Sequence, residues 1–115
     1  MPDQTVNVTF DPTATPKFTF DPDSVTMTAA GKIICLQRPS SATWKFTGGD
    51  VKEDTLNEFS STVQGNGQSL HINDELKDTA KTPYDYYVTV VLNGTSYTSP
   101  DPVIVNDPGG GGTAP

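Results

Sequence analysis

The 115-residue chain has one cysteine, one histidine and one tryptophan, and only seven basic residues against fourteen acidic ones. Each scarcity excludes something. A single Cys35 cannot form an intrachain disulfide, which is neutral to mildly favourable for a reducing compartment. Cys35 and His71 alone cannot supply a structural zinc set, and no Cys-x-x-Cys or His-Glu-x-x-His spacing occurs. The net charge of −7 repels phosphate, which argues against nucleic acid and against an anionic membrane surface. No apolar run approaches the roughly 18 residues of a membrane-spanning helix. Met1-Pro2-Asp3-Gln4 has neither a basic stretch nor an apolar one, so the expectation is a cytoplasmic protein.

Proline and glycine are abundant, with ten of each, while hydrophobic residues make up 33%. Many turns around a thin core suit a two-layer β protein. The apolar pattern has a period of two. Val6, Val8 and Phe10 alternate with polar residues, as do Phe18 and Phe20, Val25 and Met27, and Trp44 and Phe46. Ile33-Ile34-Cys35-Leu36 is apolar on both faces and reads as a central strand. Leu70 and Ile72 alternate around His71, which points that imidazole away from the core. Tyr84 to Leu92 is the longest β segment, and Asn93-Gly94 after it signals a hairpin back through Thr95–Thr98. Val103, Ile104 and Val105 form the last strand.

Glu53 to Ser61 is open between a helical turn, a loop and a strand. Asn73-Asp74-Glu75-Leu76-Lys77 reads as one helical turn with an Asn or Asp cap. Ala29-Ala30-Gly31 reads as a turn, and the Gly-rich tail, residues 109–115, is expected to be disordered. The expected fold is all-β: one immunoglobulin-like antiparallel β-sandwich over residues 1–108, with eight or nine strands and one short helical turn.

Three stretches carry resemblances. Phe20-Asp21-Pro22-Asp23-Ser24-Val25-Thr26-Met27 resembles the opening of cupredoxin-like sandwiches. Tyr84-Asp85-Tyr86-Tyr87-Val88-Thr89-Val90 resembles the sixth strand of immunoglobulin-like folds, with Tyr86 or Tyr87 near a tyrosine corner. Ser99-Pro100-Asp101-Pro102-Val103-Ile104-Val105-Asn106-Asp107-Pro108, with the earlier Asp-Pro pairs, is similar to the DP-EP family, a likeness that spans roughly residues 5–108. That resemblance implies a bacterial protein with an immunoglobulin-like sandwich, and it implies no particular activity. The cupredoxin likeness stops short of its metal: a blue-copper site needs about two His and one Cys, and the chain has one His. An antibody-type domain has two cysteines bracketing its Trp, whereas here only Cys35 precedes Trp44.

Little catalytic chemistry can be assembled from these residues. Cys35 sits in an apolar run, where thiols are inert core groups. No phosphate-cradling glycine motif is present, so no cofactor is expected. Asp21, Asp23, Asp101 and Asp107 lie at strand ends and are candidate calcium ligands, because calcium takes loop carboxylates and carbonyls. Tyr84, Tyr87 and Tyr97 are candidates for an exposed aromatic platform for a sugar or peptide. Trp44 is expected in the core. The functional expectation is a non-enzymatic protein-interaction or structural module, binding a protein partner or self-associating. The alternative is a ligand-binding domain for calcium or carbohydrate.

Overall fold

A computed structural model of the chain describes residues 4–28 and 32–108. Its elements are all strands: β1 (Gln4–Phe10), β2 (Phe18–Asp21), β3 (Ser24–Met27), β4 (Lys32–Gln37), β5 (Lys45–Val51), β6 (Phe59–Gln64), β7 (Ser69–Asp74), β8 (Thr82–Leu92), β9 (Thr95–Thr98) and β10 (Val103–Asn106). One sheet runs β2-β1-β4-β7-β6. The other runs β3-β10-β8-β5, with β9 also paired to β8. Residues 29–31 and 109–115, where a turn and a disordered tail are expected, lie outside the described residues.

The period of two works as expected. Along β1 the burial alternates, with Val6, Val8 and Phe10 inside. On the opposite sheet Phe46, Tyr86, Val88, Val90 and Ile104 face them across one continuous core. Trp44 is in that core, set edge-on to Phe46 and Phe10 with ring centroids 5.1 and 6.1 Å away. Full burial of one such side chain contributes about 1.5–3 kcal/mol. Cys35 is buried, and His71 lies opposite it in register on the outer side of the sheet.

Three expectations need correction. The sheets are mixed rather than purely antiparallel, because β1 runs parallel to β4 and β3 runs parallel to β10. Alternation reports which face of a strand is buried; it is silent on the direction of the neighbour. Among the described residues ten strands replace eight or nine, since the ambiguous stretch resolves into a turn through Asn57, at φ 55°, followed by β6. The expected helical turn is absent, and no helix occurs among the described residues. Asn73 and Asp74 instead end β7. Leu76 takes φ 48°, and the Glu75 N–H donates to the Glu58 carbonyl at 2.9 Å. The capping chemistry of that segment serves a tertiary loop.

Gly94 and Gly49 are among the glycines that the backbone needs. Gly94 (φ 79°) with Asn93 (φ 52°) makes the β8–β9 hairpin, where both central residues are left-handed. At Gly49 a Cβ would lie 2.6 Å from the Tyr87 carbonyl and 2.7 Å from a Leu70 methyl, whereas at neighbouring Gly48 it would meet nothing within 4 Å. Gly49→Ala is therefore expected to cost about 1–3 kcal/mol. Gly48→Ala should stay within about 0.5 kcal/mol. Urea denaturation of the two variants checks this, and equal losses would show that β5 does not approach β8 as described.

Candidate functional site

The most unusual feature of the interior is polar. Glu58 is 1% exposed, and Asp74 and Asn106 are fully buried. They come from three separate places: the residue before β6, the end of β7 and the end of β10. Tyr84 of β8 and Asp78 of the β7–β8 connection complete the group. The Tyr84 hydroxyl is 2.8 Å from Glu58 Oε2 and 2.7 Å from Asp78 Oδ1. Asn106 Nδ2 faces Glu58 Oε1 at 3.0 Å, Asp74 Oδ1 at 3.2 Å and Asp78 Oδ2 at 2.9 Å.

The local chain holds these groups in place. Asp54 accepts the N–H groups of Glu58 and Phe59 with its two carboxylate oxygens. Glu58 Oε1 accepts the Lys77 N–H at 2.8 Å, and Asp74 Oδ1 accepts the Leu76 N–H at 2.9 Å. The Tyr84 ring lies edge-on to Phe59 at 5.0 Å. The connection after β7 is thus tied to the end of the sandwich by side-chain carboxylates, in the absence of helical hydrogen bonds of its own.

Burial sets the electrostatics. It pushes the Asp74 carboxyl up to about 6, opposed by the Leu76 N–H and Asn106 and reinforced by the nearby Glu58 and Asp78 charges. Glu58 is raised for the same first reason, with Asp78 adding to the shift. Burial also acts upward on Asp78, but hydrogen bonds from Tyr84, Asn106, Glu58 and Thr82 outweigh it and hold that carboxyl below its ordinary value. The Tyr84 phenol is raised by burial and then by the carboxylates beside it.

The DP-EP family's pattern matches residues 2–108. The chain belongs to the DP-EP family. No curated protein matches it. In this DP-EP protein the four Asp residues singled out in the sequence do not all converge. Asp23 and Asp101 line one shallow groove with Phe18, Phe20 and Pro102. Asp101 also pairs with Lys52, its carboxylate 2.8 Å from Nζ. Asp21 is exposed at the end of β2. Asp107 is buried at the opposite end of β10, its N–H bonded to the Met27 carbonyl at 2.8 Å. Among the described residues, no group of three or more His, Cys, Asp or Glu side chains could hold a metal ion. The carboxylates of Glu58, Asp74 and Asp78 are strung around an amide and a phenol.

The three tyrosines do not all share a face either. Tyr84 is buried in the acidic cluster, Tyr87 is half-buried on the other side of β8, and Tyr97 turns inward against Phe10 at 4.9 Å. Burial raises the Cys35 thiol, which keeps it in its weakly nucleophilic form.

Sequence reasoning passed over Glu58, Asp74, Asp78 and Asn106, although a signal existed for two of them. Asp74 continues the inward phase of Leu70 and Ile72, and Asn106 continues that of Ile104. A polar residue in a buried phase is worth reading as a member of an internal network. If Tyr84 joins this network, Tyr84→Phe should lower stability by about 1–3 kcal/mol near neutral pH. Tyr87→Phe should change it by less than about 0.5 kcal/mol. Guanidinium denaturation of both variants tests the assignment, and indistinguishable midpoints would remove Tyr84 from it.

Proposed function

We propose that this DP-EP protein is a non-enzymatic interaction module with an immunoglobulin-like sandwich, and that it associates with a second copy of itself through β6. The observation that carries the reading is the state of that strand. β6 ends its sheet, and residues 60–64 are exposed on both faces. Ser61 and Val63 lie opposite Ile72 and Leu70, which are buried, so their side of the strand is the core side. They nevertheless stay in solvent, with Val63 37% exposed. β6 therefore forms a ledge that the other sheet leaves largely uncovered; Ser61 Oγ reaches across to the Gly49 carbonyl at 2.8 Å.

Folded proteins commonly blunt such edges with charge, proline or a bulge. Phe-Ser-Ser-Thr-Val-Gln has no charge and no proline, and its register with β7 runs without a break. Antiparallel pairing of β6 with its own copy is isologous and asks nothing further of the sequence. It also brings two chains of net charge −7 together at an uncharged strand. Less supports the calcium or carbohydrate alternative, since Asp107 is remote from Asp101 and Tyr84 is buried.

Light scattering after size exclusion tests the proposal. The mass is expected to rise from monomer toward dimer with protein concentration, and more readily at higher salt, where the mutual repulsion is screened. Val63→Lys, which sets a charge on the ledge, should restore the monomer. A strictly monomeric wild type at every concentration and salt level would sink the reading, as would a dimer indifferent to Val63→Lys.

A further inference from the structure

We propose that the Glu58, Asp74, Asp78, Tyr84 and Asn106 cluster is a proton-operated latch, closed in mildly acidic solution and loosened as the pH rises toward neutrality. The cluster has fewer hydrogens than contacts. The Tyr84 hydroxyl has one hydrogen and stands within bonding distance of two carboxylate oxygens. Asn106 Nδ2 has two and faces three. With all three carboxyls ionised, five contacts share three hydrogens. A proton on Glu58 Oε2 repairs the first shortfall: the carboxyl donates to the Tyr84 oxygen, and the Tyr84 hydroxyl is free to donate to Asp78.

A second observation concerns Asp74. Its Oδ2 is buried with no hydrogen-bond partner, and so is Asn106 Oδ1. An ionised Asp74 would hold a charged oxygen away from both water and donors, an arrangement that costs far more than a neutral acid there. The direction of the raised Asp74 and Glu58 carboxyls agrees with this count.

The surrounding charges offer little relief. On the same connection, Lys77 Nζ reaches the carbonyls of Leu56 and Asn57 at 3.5 Å, and Glu75 bonds Asn73. Before β6, Asp54 is occupied by two backbone N–H groups. Beyond β10 stands Asp107, another acid, and on β4 Lys32 lies opposite Asp74 in register; both have interactions of their own, and no cation is among the groups that shift the Asp74 carboxyl.

The sign follows from linkage. Asp74 binds its proton more tightly folded, at about 6, than at its ordinary 3.8. Its contribution to stability is complete below the lower value, falls between the two, and is lost above about 6. Asp78, held low, acts in the opposite direction. The clean readout is therefore the difference between the wild type and a variant that cannot titrate at Asp74.

Thermal melts of the wild type and Asp74→Asn across pH 4 to 8 make the comparison. The wild-type midpoint should fall relative to the variant between about pH 4 and pH 6 and run parallel above that. Carbon-13 titration of the native wild type, which needs no variant, should place the Asp74 midpoint near 6 and show Glu58 raised. Protection of the Leu76 and Lys77 amides should drop by about tenfold per pH unit over the same window, as one linked proton requires. Parallel melts throughout, or an Asp74 carboxyl titrating near 4, would overturn the latch. Stabilisation by added calcium at pH 7.5 that disappears in Asp74→Asn would also overturn it, assigning the cluster to a cation.

Discussion

Two thin sheets can hold together here only because each covers the apolar face of the other. Val6, Val8, Ile34, Leu36, Leu70 and Ile72 on one side, and Phe46, Tyr86, Val88, Val90 and Ile104 on the other, exclude water from a single layer. Without a disulfide, and with no helix among the described residues to cap a face, that layer is the main source of stability. Every other feature is defined by where the mutual cover is complete and where it ends.

Where the cover ends, two different edges result. At β6 the second sheet stops short, and Ser61 and Val63 remain in solvent on what would otherwise be core positions. At the other end of β7, the chain instead fills the margin with polar groups. Asp74, Glu58 and Asn106 are as buried as the valines beside them, and they are compatible with the core only because Tyr84, Asn106 and the backbone N–H groups of Leu76 and Lys77 supply donors. These carboxylates take the place of a helix in ordering the connection from β7 to β8. Glu58 sits directly before β6, so the polar margin also anchors the start of the exposed strand.

The legible part of the fold was the part governed by a local period. Val6-x-Val8-x-Phe10 and Tyr86-x-Val88-x-Val90 could be assigned to a buried face from neighbouring residues alone, and Asn93-Gly94 specified its hairpin by backbone conformation. β6 was obscured because its inward phase, Phe59, Ser61 and Val63, is broken by a serine, while Leu56 and Phe59 have the spacing of a helical turn. The Asn73–Lys77 segment looked helical because Asn and Asp also cap helices, and a capping side chain does not reveal whether its partner is the next turn or a distant strand. The loop acids drew attention through their Asp-Pro pattern, yet the acids that matter to the interior were Glu58, Asp74 and Asp78, brought together from positions up to twenty residues apart.

By itself the sequence determined the class of the fold, most of its buried positions and the poverty of its reactive groups. These depend on residue type and on a two-residue repeat, both of which act locally. The tertiary structure decided the parallel pairings β1–β4 and β3–β10, the exposure of β6 and the meeting of three carboxylates around Tyr84 and Asn106. Those outcomes depend on which strands become neighbours, and contacts across distant segments are settled only when the two sheets close on each other.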